Sequence, residues 1–295
     1  IYASNASSLT PSMVRNFSAP VTIDDDLTRD ERRHIMRYDT DLFNRWDSAQ
    51  TLISDEILTV AANPSAPLNV ASIASLADGF RHILADSLCL DSFKATILTL
   101  PAISVLESRM VPADPVDLFN ARLTVEAALG QHMQEQYQQA LNPQKSSTLA
   151  ATAGGRALRN RMLALAVAAG DMAADDVVVD QVLNANMTLS QGAIAAVNQR
   201  PTAVREAVLA TFHDRWQDNA LVLEKWFLFE SMSCISGRIE RLEQLMQHPA
   251  FDPKNPNKLR VVLSSFMSGN PVRFYAEDGS GFEFIADSLI DIDKR

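Results

Sequence analysis

From residue 24 onward, apolar residues recur along the chain at intervals of three and four, the spacing that lines one face of a helix. Short polar or breaking segments interrupt this pattern at Asn63-Pro64, Asp91, Pro101, Asn142-Pro143, Gly170-Asp171, Asn198 to Pro201 and Asn255-Pro256. The predicted helices are 28–38, 41–62, 71–87, 92–100, 102–110, 115–141, 149–169, 172–184, 188–198, 202–217, 219–232, 237–247, 257–268 and 281–292. Connections this short place consecutive helices side by side, and no strict repeat of fixed length recurs. The fold class expected is all-α: an irregular α-superhelix of stacked, HEAT-like helical hairpins.

Local signals sharpen parts of this reading. Either Asp26 or Thr28 suits the N-cap of the first helix. Asp114 caps the helix opened by Pro115, whose Phe119, Leu123, Met133, Tyr137 and Leu141 fall on or near one face. The run Leu221 to Phe229 is apolar almost all round, so that helix is expected inside, covered on several sides. Residues Ile1 to Ile23 are different, rich in Ser, Thr, Pro and Asn, and read as extended, one strand of a sheet whose partners are missing.

Composition narrows the function classes. The chain has 295 residues, 26 Lys plus Arg against 36 Asp plus Glu, and a net charge of −10, which repels phosphate backbones and argues against a nucleic-acid partner. No run of apolar residues approaches the ~20 that a membrane-spanning helix needs, and the polar start lacks the charged and apolar regions of a signal peptide. Cys89 and Cys234 stand far apart and support neither a disulfide framework nor a thiolate zinc site, so a reducing, cytoplasmic location is expected. Only 10 glycines are present, in keeping with a helical chain.

The search for chemistry yields little. His34, His82, His132, His213 and His248 include no pair three or four apart, so no helix-borne zinc pair exists, and each is expected at the surface or at a cap. Gly154-Gly155 and Asp278-Gly279-Ser280-Gly281 are the nearest approaches to a glycine-rich anion loop; a plain turn with Ser280 as N-cap is the preferred reading of the second. Glu283, Asp287 and Asp291 recur every four residues, as paired acids for proton transfer do, and as an exposed acidic stripe does. Arg156, Arg159 and Arg161 read as an ion-pair set, and Trp46, Trp216 and Trp226 as core residues.

Several segments nonetheless carry a specific likeness. Pro11-Ser12-Met13-Val14-Arg15-Asn16-Phe17-Ser18-Ala19-Pro20-Val21, Phe43-Asn44-Arg45-Trp46-Asp47-Ser48-Ala49-Gln50, Arg156 to Asn160 and Lys225-Trp226-Phe227 occur in order. They are followed by Asn255-Pro256-Asn257-Lys258-Leu259-Arg260, Asn270-Pro271 and Phe274 to Phe282. Together they resemble the C-terminal part of the zinc-dependent aminopeptidase N family of bacterial and apicomplexan type. Asn16 stands where that family has Gly, Ile1 to Leu9 match nothing, and the chain stops before the family's last group of helices.

The resemblance implies a division of the chain and a division of labour. Residues 1–22 would be the last strand of a small β-sandwich domain, and 23–295 a helical superhelix truncated at its C-terminal end. The parent would be a zinc exopeptidase that removes N-terminal residues from small peptides, with the metal held by a His-Glu-x-x-His helix in an upstream catalytic domain. This chain would then hold no catalytic residue, no metal and no cofactor of its own. It would wall and gate the channel to the active site, with Arg260 facing that channel to hold a carboxylate or carbonyl of the peptide, unless an internal ion pair consumes its charge. The alternative is a free-standing α-solenoid that binds a protein partner and has no peptidase activity.

Overall fold

A computed structural model describes residues 9–21, 23–235 and 237–294. Helices α1 (Arg29–Tyr38), α2 (Leu42–Ala62) and α3 (Val70–Ala85) form the first layer, followed by the short α4 (Asp91–Ile97) and α5 (Ile103–Glu107). Next come α6 (Pro115–His132), α7 (Gln134–Leu141), α8 (Pro143–Ala150), α9 (Ala153–Ala169), α10 (Ala173–Asn184) and α11 (Met187–Val197). The last third holds α12 (Ala203–Trp216), α13 (Ala220–Ser231), α14 (Arg238–Met246), α15 (Pro256–Leu259), α16 (Ser265–Gly269), α17 (Pro271–Phe274) and α18 (Ser280–Asp293). Most contacts join helices close in the chain, and α9 sits at a hub touching α4, α6, α7, α8, α10 and α11. The all-α superhelix expected from periodicity is the architecture found.

Caps set the helix starts as the sequence chemistry requires. Thr28, not Asp26, caps α1: its hydroxyl accepts from the Glu31 N–H while Glu31 reaches back to the Thr28 backbone, a reciprocal capping box. Asp114 accepts from the N–H groups of Val116 and Asp117, with Pro115 at the first helical position of α6. Some helices are shorter than expected. The helix foreseen over 115–141 breaks at Met133, which leaves helical geometry at φ −117° and ψ 23°. That over 149–169 breaks before Thr152, whose hydroxyl caps α9.

Close packing between the long helices depends on small residues. A Cβ on Gly130 of α6 would lie 2.4 Å from the Leu165 carbonyl oxygen of α9, so the two backbones approach only because that atom is missing. Around this seam Val125, Leu129, Leu163 and Leu165 are buried, continuous with Ile53, Ile57, Ile73 and Phe80 of the first layer. Burial of this kind contributes roughly 25 cal/mol per Å² of apolar surface.

Two expectations are corrected. Among the described residues no strand occurs: residues 15–17 form a short 3₁₀ turn, with Asn16 at φ 58°, a left-handed conformation that Asn tolerates and that Gly would take freely. The segment is fastened to the corner between α1 and α2. Arg15 bonds Asp39 and Thr40, and the Asn16 N–H donates to Asp41. Residues 1–8 and 22, part of the expected strand, lie outside the described residues. The second correction concerns α13: Leu223, Trp226, Phe227 and Phe229 are buried, but Leu221 is 75% exposed and Val222 and Leu228 half-buried, so the helix is not covered all round.

Candidate functional site

The segment that carries Arg260 is built in steps. Asp252 Oδ1 accepts from the Lys254 N–H at 2.9 Å, closing a turn, and Asn255 Oδ1 accepts from the Asn257 N–H at 2.9 Å to cap α15, with Pro256 in the first helical position. The chain then makes a π turn over Arg260–Ser264 before resuming α geometry at Ser265. Both the N–H and the hydroxyl of Ser265 reach back to the Arg260 carbonyl, five residues earlier. Single π turns inside helices are costly to form and concentrate at functional sites.

The two basic residues of this segment have opposite fates. Lys258 is 6% exposed, its ammonium 3.3 Å from Glu224, within reach of the Ala220 carbonyl at 3.4 Å and 5.9 Å from the centre of the Phe227 ring. Its charge is spent on holding α15 to α13. Arg260, two residues on, is exposed, and its guanidinium makes no hydrogen bond or ion pair with any described residue. The internal ion pair that would have consumed its charge is therefore not formed, and a permanent guanidinium stands free to take a carboxylate or carbonyl oxygen.

The other sequence candidates resolve into structural roles. The helix after Asp278-Gly279 begins at Ser280, so Ser280 is not the cap. Gly279 takes that place at φ 76°, and the exposed Asp278 accepts from the Ser280 N–H; the Ser280 hydroxyl and then this N–H lower its pKa. Glu283, Asp287 and Asp291 form an exposed stripe along one wall of an open groove of about 560 Å³ between α14 and α18, where Lys294 pairs with Asp291. Gly154 and Gly155 start α9, tight against Ser92 and Leu149.

The three arginines do not form one ion-pair set. Arg161 pairs with Glu126, while Arg159 donates to Ser146 and Arg156 to the Ala150 carbonyl. Burial alone would raise the Glu126 pKa, but Arg161 and then Arg122 beside it more than offset this and hold it below the ordinary range. Trp226 is buried, and Trp46 and Trp216 pack partly covered against the core.

Two constellations escaped the sequence. The first surrounds Glu230, 3% exposed, which receives Arg205 at 3.2 Å, Arg241 at 3.1 Å and Arg238. The second is a meeting of imidazoles: His213 on α12 and His248 beyond α14 approach with their Nε2 atoms 3.5 Å apart, both packed at a tilt against Trp226. These partners lie between 8 and 35 residues apart in the chain, so no local spacing reveals them. Among the described residues no group of three or more His, Cys, Asp or Glu is placed to hold a metal ion, and no helix is long and apolar enough to cross a membrane.

Comparison with known proteins gives this geometry a context. A family model described as "Domain of unknown function (DUF3458_C) ARM repeats" matches residues 29–295. The chain is 36% identical over 289 residues to aminopeptidase N of Caulobacter vibrioides, covering 96% of this chain and 33% of that protein. It is 30% identical over 292 residues to aminopeptidase N of Escherichia coli, covering 97% of this chain and 33% of that one. The chain thus spans about a third of the length of the curated relatives it matches. Among solved structures it is similar to Legionella pneumophila aminopeptidase A in complex with aspartic acid, with a TM-score of 0.81 at 23% identity over 95% of this chain and 34% of that one. That likeness is one of fold.

Proposed function

The chain belongs to the DUF3458_C ARM-repeat family, and from that premise we propose that it is the helical, non-catalytic domain of a zinc-dependent aminopeptidase N-like exopeptidase. The observation that carries this reading is the alignment of nearly the whole chain with a third of two proteins named aminopeptidase N. In this reading the zinc and the bond-breaking residues belong to an upstream domain, and peptides are cut there one N-terminal residue at a time. The superhelix walls the approach to that site, which keeps bulk water and long polypeptides out. Residues 1–22 belong to the preceding β-sandwich and 23–295 to the helical domain.

Arg260 is the residue of this chain proposed to meet the substrate. Its free charge, at the start of a π turn and beside a lysine already committed to Glu224, supports that role. Two unpaired cysteines are in keeping with a cytoplasmic location.

The test uses the full-length protein that carries this chain. Hydrolysis of an amino-acid arylamide, abolished by a chelator and restored by zinc, is expected. Arg260→Ala should raise KM for short peptides with little change in melting temperature. Chelator-insensitive or absent hydrolysis would overturn the peptidase reading and return the chain to the α-solenoid interaction module. Equal losses of stability and activity in Arg260→Ala would remove Arg260 from the channel.

A further inference from the structure

The contacts of His213 and His248 fix where their protons lie. The Ala250 N–H donates to Nδ1 of His248 at 3.1 Å, so the proton of the neutral ring sits on Nε2 and points at Nε2 of His213, 3.5 Å away. His213 must accept there, which places its own proton on Nδ1, 3.3 Å from an Asp214 carboxylate oxygen. The result is a relay from the Ala250 N–H through both rings to Asp214 in which every imidazole nitrogen is used. Neither ring can gain a second proton without setting two donors face to face.

We propose that this pair is a pH-operated latch: with both rings neutral it fastens the connection 247–255 to α12 and α13, and a proton on either ring releases it. Its other fastening to the rest of the molecule is apolar, through Phe251 in the core and the partly buried Ala250, and its remaining hydrogen bonds are local. Phe251 is buried, its N–H bonded to the His248 carbonyl at 2.8 Å, and the Asn255 N–H bonds the Asp252 carbonyl at 3.1 Å.

The charged surroundings work against a proton. From α14 the Arg241 guanidinium lies 5.2 Å from the centre of the Trp226 ring, and from α15 the Lys258 ammonium lies over Phe227, the ring against which His248 packs edge-on. On α13 the acids are already committed, Glu224 to Lys258 and Glu230 to the arginines, and on α12 Asp214 touches the pair but is largely exposed. Burial, and then His213, Arg241 and Lys258, hold the His248 pKa below the usual imidazole range.

The Nε2 spacing would also suit a transition-metal ion, but a metal needs unprotonated nitrogens. The Ala250 N–H keeps the proton of His248 on Nε2, and no third ligand stands by among the described residues. The latch does not rest on the role proposed for Arg260, although the connection it holds leads directly into α15 and that residue.

The test is amide hydrogen exchange, read by mass spectrometry on the full-length protein at a series of pH values with labelling times scaled for the intrinsic exchange rate. Peptides covering 247–255 should lose about tenfold in protection over roughly one pH unit below a midpoint under 6.5, where imidazoles titrate. The double variant His213→Gln, His248→Asn places amide oxygens near the accepting nitrogens and cannot titrate, so its protection should not change over that range. Constant protection in the wild type, a loss that sets in only below about pH 4.5 where carboxylates titrate, or the same loss in the double variant would overturn the latch. Zinc-dependent protection at neutral pH would replace it with a metal clamp. Should the double variant fail to fold, the wild-type midpoint alone decides between imidazole and carboxylate control.

Discussion

The layers α1 to α9 and the stretch α12 to α18 are held together by different chemistry. In the first, Leu52, Ile53, Ile57, Ile73, Phe80, Val125 and Leu163 meet with almost no exposed surface, with buried charges such as Arg45, bonded to Asp86, the Met36 carbonyl and Cys89, set among them. In the second, buried polar groups converge. Asn198 receives Arg205 and Ser233 on its carbonyl and donates to the Phe229 carbonyl, while Asn270, fully buried, donates to the carbonyls of Ser231 and Ser233. Apolar packing is forgiving about which side chain supplies the volume; a polar knot requires particular atoms.

The sharpest way to break this comparison is a pair of conservative substitutions. Leu52→Met, in the apolar layers, should cost less than about 1.5 kcal/mol in urea denaturation. Glu230→Gln should cost about 3–5 kcal/mol, because three arginines lose their shared counter-charge and Arg205 has no exposed surface through which to recover hydration. Similar costs for the two would mean that the knot adds nothing special.

Next in size is Asn270→Ala, expected to lower stability by about 1–3 kcal/mol through the orphaned carbonyls of Ser231 and Ser233. Thr28→Ala, which removes the capping box of α1, should cost about 1 kcal/mol, measured by the same denaturation midpoint.

The last effect is a change of slope. A hydrogen bond from Arg45, with the Leu88 N–H assisting, holds Asp86 down at about 2 against an ordinary 3.8. A carboxylate depressed in the folded state stabilises fully above its unfolded value and loses that contribution as pH falls toward the folded one. Melting temperature should therefore drop between pH 4 and pH 2, less steeply in Asp86→Asn. The neutral His248 follows the same sign at higher pH, its contribution lost as pH falls below the ordinary 6.5. Acid should thus loosen the α12–α15 region well before it reaches α3.

This contrast also explains what the sequence revealed. Helices α2, α9 and α12 were legible because a repeating apolar face is a local pattern, and the start of α6 because Asp114-Pro115 is a local signal. The break at Met133 was hidden, since the apolar face continues through it. Around the candidate site, Asn255-Pro256 announced a helix start and Arg260 stood out by resemblance. The knot at Glu230 and the imidazole pair could not be read, because chemistry assembled from three helices leaves no periodic trace.

The π turn at Arg260–Ser264 sets a register as well as a local shape. Lys258, Val262, Phe266 and Asn270 are all buried and recur every four residues. Along a regular α-helix such a series would wind away from its starting direction by about 120° over its length. Absorbing one surplus residue in a wide turn cuts that drift to about 20°, so the lysine that grips α13 and the asparagine that ties the chain behind it stay in line. The turn works as a vernier between two fixed marks. Winding it into regular α turns with every residue kept would yield a better helix and a misaligned one, its two polar anchors no longer facing the same wall.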